Sequence, residues 1–228
     1  MEAGPDAGVT LRDRRDAGQR LAERLGRYRG DSTAVVGVPR GSVLVAAEVA
    51  HRLGAPLDVL VVERISSAED PAHALGGVAA ASRVLDLPEV QSAGHSAEEL
   101  DEGVRRAGSE AERRERDYRE GRAAVEFNDR TVILVLEGIV APVLARAAVQ
   151  SIRARGPRRI VIATGVCLRS THQELRREVD EMIVLREPEY VVSVGEWYRE
   201  FPPVDDADVR RALHTAANDR SVRPPPSA

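Results

Sequence analysis

A Pro-Arg-Gly-Ser turn is the first place in the sequence where residue types and spacing could bind a ligand. The valine-rich run Ala34–Val38 predicts a buried strand, and residues 42–53 after the turn have the spacing of a helix. Backbone N–H groups at a helix N-terminus, with an arginine beside them, bind anions such as a diphosphate. The alternative is an ordinary strand–helix turn with an exposed arginine. The candidate pyrophosphate-binding residues are Pro39, Arg40, Gly41 and Ser42.

Two further predicted strands end at residues that could carry chemistry. Thr131–Leu136 is the most apolar strand, and Glu137 follows it directly. The strand Arg159–Val166 precedes Cys167, the single cysteine of the chain. No histidine lies within four residues of Cys167, and single buried cysteines are usually small hydrophobic residues. We therefore favour a buried packing role for it over a nucleophilic one. None of the five histidines has the spacing of a metal site, so we expect no metal site of that kind.

The order of apolar runs and amphipathic segments predicts how these strand ends are positioned. Strand Ala34–Val38, helix 42–53 and strand 57–63 form a βαβ unit, which is typical of a parallel sheet. We therefore predict an α/β fold with a mostly parallel central sheet flanked by helices on both faces. In such sheets ligands bind at the carboxyl ends of the strands. Further helices are predicted over residues 11–27, 96–121, 143–155 and 170–179, and Ser96 and Glu99 are predicted to cap the second of these. A last strand is predicted over residues 181–185, and a flap or hairpin over residues 64–95.

The segment VILVLEGIVAPVL, residues 132–144, resembles the ribose-phosphate signature of type I phosphoribosyltransferases. Residues 35–64 resemble the pyrophosphate loop, helix and next strand of that family. Residues 70–78 (DPAHALGGV) resemble its flap, and residues 194–201 (VGEWYREF) resemble the hood-side segment of a bacterial subgroup. The resemblance covers about residues 11–215, and the four segments occur in the family's order.

This resemblance implies that the protein binds phosphoribosyl pyrophosphate with Mg²⁺ and displaces pyrophosphate with a nitrogen nucleophile. It implies that Arg64 lies by the pyrophosphate and that Trp197 and Tyr198 lie near the acceptor pocket. The alternative is that Trp197 packs at the edge of the core or at a dimer contact. Glu137 is the implied catalytic residue, where the family holds the ribose hydroxyls. The implied ribose and phosphate loop is Glu137, Gly138, Ile139, Val140, Ala141, Pro142, Val143 and Leu144.

The sequence departs from the family's pattern within that loop. Leu136 replaces the first of two acids, and a leucine cannot accept a hydrogen bond from a ribose hydroxyl. Residues 141–144 are Ala-Pro-Val-Leu where the family has Thr-Gly-x-Thr, so both hydroxyls are missing and Pro142 lacks an N–H. We expect a degenerate donor site, so that the protein binds a pyrophosphate, nucleotide or other anionic ligand or acts as a non-catalytic partner. One alternative is an active transferase that releases pyrophosphate from phosphoribosyl pyrophosphate or from an altered donor, such as one without the 5-phosphate. The other is a purely structural dimerising protein.

Composition limits the other function classes. The chain has 228 residues, and we expect one domain over residues 11–219 with flexible tails at 1–10 and 220–228.

Charge and residue content exclude several kinds of ligand chemistry. The net charge is −4, which argues against nucleic acid as a partner. All 33 cationic side chains are arginine, which excludes Schiff-base chemistry and a P-loop lysine. We expect a cytoplasmic homodimer, without a leader or membrane span, that binds a small phosphate-bearing or nucleotide-like molecule.

Overall fold

A five-stranded parallel sheet forms the centre of the computed structural model, which describes residues 10–30, 32–66, 74–79, 82–85 and 97–222. The strands are β1 (Thr33–Gly37), β2 (Leu57–Val59), β3 (Val62–Ser66), β4 (Ala74–Ala79), β5 (Ser82–Leu85), β6 (Thr131–Ile139), β7 (Arg159–Cys167) and β8 (Glu181–Arg186). The helices are α1 (Arg14–Arg24), α2 (Gly41–Leu53), α3 (Ala97–Arg119), α4 (Pro142–Arg153), α5 (Arg169–Leu175) and α6 (Asp206–Val222). The central sheet has the order β2-β1-β6-β7-β8, and every pairing in it is parallel.

Helices cover both faces of this sheet because alternate strand residues point to opposite sides. On one face, Val35, Ile133 and Val161 pack with buried side chains of α1 and α2. On the other face, Val36 and Leu134 pack with the apolar side of α4 and with Leu175 at the end of α5. The predicted α/β class, with a mostly parallel sheet between two helix layers, is confirmed.

The predicted strand 57–63 is wrong as a single element. β2 ends at Val59, and the Leu60 N–H donates to the carbonyl of Gly37 before the chain leaves the central sheet. β3 then pairs antiparallel with β4, and β4 with β5, in a separate three-stranded sheet. This sheet occupies part of the segment predicted as a flap. The remainder of that prediction, at residues 67–73, 80–81 and 86–95, lies outside the described residues.

The first predicted helix, over residues 11–27, begins later than predicted. The Asp13 side chain accepts a hydrogen bond from the Asp16 N–H and caps α1, which starts at Arg14. Leu11 precedes that cap and forms an isolated parallel bridge with Tyr198. After Arg24 the chain tightens into a 3₁₀ turn over Gly26–Tyr28.

At the other end of the chain, sequence analysis missed helix α6. Residues 220–222, which were expected to belong to a flexible tail, form its last turn. Residues 1–9 and 223–228 lie outside the described residues. Among the described residues, no helix is both long enough and apolar enough to span a membrane.

The remaining predicted elements are found with shifted ends. β6 extends three residues beyond Leu136, because Gly138 and Ile139 continue the ladder with β7. α3 matches the predicted helix 96–121, although Ser96 of the predicted cap lies outside the described residues. The helix predicted over residues 170–179 is shorter and ends at Leu175.

Candidate ligand site

The loop between β1 and α2 lies beside the end of β6, because these two strands are neighbours in the parallel sheet. The Pro39–Arg40 peptide bond is cis, and α2 begins at Gly41 with no side-chain cap on its first turn. The Ser42 hydroxyl accepts a hydrogen bond from the Glu137 N–H at 3.0 Å. The structure therefore brings the predicted pyrophosphate loop and Glu137 into direct contact.

The Glu137 carboxylate packs against the start of α2. A Cβ atom at position 41 would overlap this carboxylate, so only glycine permits the approach. The Glu137 backbone carbonyl accepts a hydrogen bond from the Tyr198 hydroxyl at 2.6 Å. Main chain and side chain of Glu137 are thus both held in place.

Arg14 is a site residue that sequence analysis missed. Its Nε donates to Glu137 Oε2 at 2.7 Å, and its Nη1 donates to the Pro202 carbonyl at 2.7 Å. The guanidinium also lies 3.8 Å from the ring centre of Phe201, and the side chain is only 9% exposed. Arg14 therefore connects α1, the end of β6 and the segment before α6. No sequence signal marks it, because its partners are 123 and 188 residues away along an arginine-rich chain.

Arg40 is exposed and pairs with the first residue of α6. Its Nε lies 2.9 Å from Asp206 Oδ1, and the two side chains are 54% and 44% exposed. Asp206 also accepts a hydrogen bond from the Tyr118 hydroxyl at 2.7 Å, which contributes most to lowering the pKa of this carboxyl. Residues 38–40 between β1 and α2, here called the Arg40 loop, thus present an arginine that is already paired with a carboxylate.

The loop between β6 and α4 has different chemistry. Ile139 is buried, Ala141 precedes the first turn of α4 without a side-chain cap, and Pro142 stands at the first helical position. The Val140 carbonyl accepts a hydrogen bond from the Thr171 hydroxyl at 2.6 Å, which ties the loop to α5. In the first turn of α4, Val143 is buried. Side chains in this loop provide no hydrogen-bond donor.

Two further predicted site residues, Arg64 and Leu144, lie on β3 and α4. Arg64 is on β3 with an exposed side chain. Its neighbour Glu63 accepts from Arg114 at 2.6 Å, so that carboxylate has a cationic partner. Leu144 is half-buried, and a Cβ at position 77 of β4 would lie 3.0 Å from it.

Trp197 and Tyr198 belong to a segment that folds back onto the end of β6. Trp197 is partly buried against the core, and its carbonyl accepts from the Leu11 N–H. Tyr198 is buried, and burial raises the pKa of its hydroxyl, which donates to Glu137. In the same segment, Val194 packs so closely on Gly138 that a Cβ there would overlap it. The segment therefore holds the strand end in position.

Cys167, at the end of β7, is fully buried, and burial raises its thiol pKa to about 12. A thiol with such a pKa is almost entirely protonated at neutral pH and is a poor nucleophile. This agrees with the packing role favoured from the sequence.

A groove of about 680 Å³ opens between α1, α2 and α6, and Arg14 is among its lining residues. Two ion pairs line it, Arg15 with Glu48 and Arg211 with Asp208. His51 Nδ1 also lies 3.2 Å from Asp219 Oδ2.

Comparison with known proteins shows which proteins the chain is similar to. No family model matches the chain. The crystal structure of TT1426 from Thermus thermophilus has a TM-score of 0.75 at 33% identity, covering 90% of this chain and 98% of that one. Two Mycobacterium tuberculosis proteins, from strains CDC 1551 and H37Rv, are 35% identical over 208 residues, or 91% of this chain. Both are named "Putative phosphoribosyl transferase".

The chain is therefore similar to proteins named as phosphoribosyl transferases over most of its own length, as the sequence resemblance implies. It spans about half the length of the two mycobacterial relatives, because the match covers 47% of each. It shares its fold with TT1426 over nearly the whole of both chains.

Members of the phosphoribosyltransferase family work with Mg²⁺, so we tested whether residues of this chain fit the ion. Among the described residues, no group of three or more His, Cys, Asp or Glu side chains could hold a metal. Glu137 and Asp206, the carboxylates at the Arg40 loop, each already contact an arginine. The described residues therefore do not fit a resident Mg²⁺ held by the protein alone.

Proposed function

We propose that this chain is a phosphoribosyltransferase-family protein that binds a diphosphate-containing anion at the Arg40 loop and does not use phosphoribosyl pyrophosphate as a donor. One observation supports this most directly. Of two neighbouring strand-end loops, the one at β1 offers an exposed arginine at a helix N-terminus, whereas the one at β6 offers no polar side chain to a phosphate beyond Glu137.

The Arg40 loop suits a diphosphate for electrostatic reasons. The N–H groups of the first turn of α2 carry the positive end of the helix dipole, and no side chain caps them. Arg40 adds a full positive charge with a planar set of donors that matches phosphate oxygens. Ser42 keeps the loop fixed to β6 through Glu137.

The loop after β6 lacks what a ribose 5-phosphate would need. Pro142 provides no N–H, and Ala141 and Leu144 provide no hydroxyl. A hydrogen bond to a charged group contributes about 1.5–3 kcal/mol, so the loss of three such donors costs several kcal/mol. That corresponds to a loss of affinity of several orders of magnitude.

Glu137 is proposed to contact a hydroxyl of the ligand rather than to act as a catalytic base. Its carboxylate is 24% exposed and lies against Gly41, between the Arg40 loop and Arg14. An ionised carboxylate is a good acceptor for a sugar hydroxyl. A nucleotide diphosphate would satisfy both Arg40 and Glu137.

The cellular role that we propose follows from binding without turnover. The protein is proposed to act as a cytoplasmic homodimer that senses such an anion or serves as a non-catalytic partner of a related enzyme. Gel filtration coupled to light scattering measures the oligomeric state, and a mass of one chain would contradict the homodimer.

The test is calorimetric titration with pyrophosphate, with and without Mg²⁺, because Mg²⁺ commonly binds through substrate phosphates. Wild-type protein is compared with Arg40→Ala and with the control Arg211→Ala. Arg211 is likewise an exposed arginine paired with an aspartate, Asp208. We expect Arg40→Ala to weaken binding about tenfold or more and Arg211→Ala to leave it unchanged.

Equal binding by all three proteins would overturn the proposed site. A second assay distinguishes the proposed binding function from the alternative, an active transferase. It measures pyrophosphate release from phosphoribosyl pyrophosphate with a mixture of nitrogenous bases as acceptors. Turnover that Arg40→Ala and Glu137→Gln abolish would show an active transferase and contradict the proposal.

A further inference from the structure

The exposed cation of the pyrophosphate loop has a carboxylate partner from a distant part of the chain. Asp206 is the first residue of α6, and it contacts Arg40 across 166 positions of sequence. The charge on Arg40 that would attract an anionic ligand is therefore partly neutralised by Asp206. An incoming anion must compete with this carboxylate.

Asp206 does not depend on Arg40 for its position. Its Oδ1 accepts a hydrogen bond from the Tyr118 hydroxyl at 2.7 Å. That hydroxyl accepts from Arg114 Nη2 at 2.8 Å, and Arg114 Nη1 donates to Glu63 at 2.6 Å. Tyr118 itself is almost fully buried, at 2% exposure. Its position on α3 therefore fixes the position of the Asp206 carboxylate.

The other acids at the start of α6 form contacts within the helix start itself and none that is described with Arg40. Asp205 and Asp208 exchange hydrogen bonds with each other's N–H groups, and Asp208 pairs with Arg211. They stabilise the start of the helix, as acids at helix N-termini do. Among the residues that begin α6, Asp206 alone has a described ion pair with the loop.

We propose that Asp206 is a built-in competitor for the anion site, which lowers the affinity of the Arg40 loop and is displaced when a diphosphate binds. The proposal rests on the proposed function and adds a residue that determines affinity. Tyr118 keeps the carboxylate in place after Arg40 turns to the ligand, so the negative charge stays close to the bound anion.

The exposure of the pair makes this exchange feasible. An ion pair between half-exposed side chains contributes little, and a bidentate contact of arginine with phosphate is stronger. Removal of the Asp206 charge would eliminate both the competition and the repulsion of the anion. Together these effects predict an affinity for pyrophosphate about three- to tenfold higher.

The experiment is calorimetric titration of wild-type protein, Asp206→Asn, Arg40→Ala and the double variant with pyrophosphate at two salt concentrations. Asp208→Asn is the matched control, because it removes the same charge from the same helix turn without a contact to Arg40. We expect Asp206→Asn to bind about three- to tenfold more tightly at low salt, with a smaller gain at high salt. The double variant should bind more tightly than Arg40→Ala, but by less than the gain of Asp206→Asn over wild type, because only the repulsion and not the competition remains to be removed. Asp208→Asn should bind within about twofold of wild type.

The outcomes separate this inference from the proposed function. If Arg40→Ala weakens binding but Asp206→Asn does not strengthen it, the site exists and the inference is wrong. An equal gain in pyrophosphate affinity in Asp208→Asn would also overturn the inference. The gain would then come from the change in net charge and not from the contact between Asp206 and Arg40. If neither wild type nor Asp206→Asn binds pyrophosphate, the proposed function fails and the inference falls with it. Binding by Asp206→Asn alone would support the inference most strongly.

Discussion

The loops after β1 and β6 occupy equivalent positions in the fold and have opposite chemistry. Both follow adjacent parallel strands, and both lead into the N-terminus of a helix. The first has an exposed arginine and a glycine that allows close approach. The second has Ala141 at the cap and Pro142 in the first turn. The backbone architecture of an anion site is therefore present twice, and the side chains decide which copy can bind.

The second loop is also held more firmly by the rest of the molecule. Arg14, Tyr198 and Val194 all contact the end of β6, and Thr171 binds the carbonyl of Val140. The contact that we find at the Arg40 side chain is a single, half-exposed ion pair. The end of β6 is thus fixed by packing, whereas the arginine after β1 can exchange its carboxylate partner for an anion.

The largest expected effect tests how firmly β6 is held. Arg14→Met removes two hydrogen bonds and a cation–π contact and leaves Glu137 without its partner. Removal of one member of a mostly buried ion pair costs about 2–4 kcal/mol of the free energy of unfolding. Urea unfolding followed by circular dichroism measures this loss.

Arg15→Met is the control for that experiment, because Arg15 lies on the same helix and is 72% exposed. We expect it to change the free energy of unfolding by less than about 0.5 kcal/mol. Similar losses in both variants would show that Arg14 does not hold the strand end in the way described.

The next effect is a gain of function at the second loop. Ala141→Thr combined with Pro142→Gly restores a hydroxyl and an N–H at the start of α4. We expect affinity for phosphoribosyl pyrophosphate to rise about tenfold to a hundredfold, since each donor to a phosphate contributes about 1.5 kcal/mol. Calorimetry measures this affinity in the double variant, and the affinity for pyrophosphate alone should stay the same. No gain would mean that the identities of these two residues do not limit binding.

The smallest effect concerns a third strand end, at Cys167. The pKa of its thiol is raised to about 12, so its thiolate fraction is negligible at pH 8. We expect no alkylation by iodoacetamide in the native protein over several hours and full alkylation in denaturant, as read by mass spectrometry. Rapid reaction of the native protein would place a reactive thiol beside the site.

Much of the fold could be predicted because its signals are local. The apolar runs that became β1, β6 and β7 are four or more residues long and end at turns, so period and length identify them. The run over residues 57–63 was misread for the same reason. Its residues 59–62 are all apolar and cross the point of division, so only the pairing partners show that it divides between two sheets.

The site could be predicted only where its residues are close in sequence. Pro39, Arg40, Gly41 and Ser42 are adjacent, and Glu137 follows an obvious strand. Arg14 and Asp206 reach the site from opposite ends of the chain, and each is one of many charged residues. Helix α6 was missed because its alternating charges and alanines show little periodicity, and a proline-rich tail follows it.

The measurement that tests the central claim most directly is the ratio of two dissociation constants of the wild-type protein. Phosphoribosyl pyrophosphate and pyrophosphate are titrated under the same conditions, with Mg²⁺. We expect phosphoribosyl pyrophosphate to bind at most about tenfold more tightly than pyrophosphate, which is the gain that one ribose hydroxyl donating to Glu137 supplies, and to lose that gain in Glu137→Gln. If phosphoribosyl pyrophosphate still binds about tenfold more tightly than pyrophosphate in Glu137→Gln, the loop after β6 recognises the ribose phosphate, and the contrast between the two strand ends is wrong.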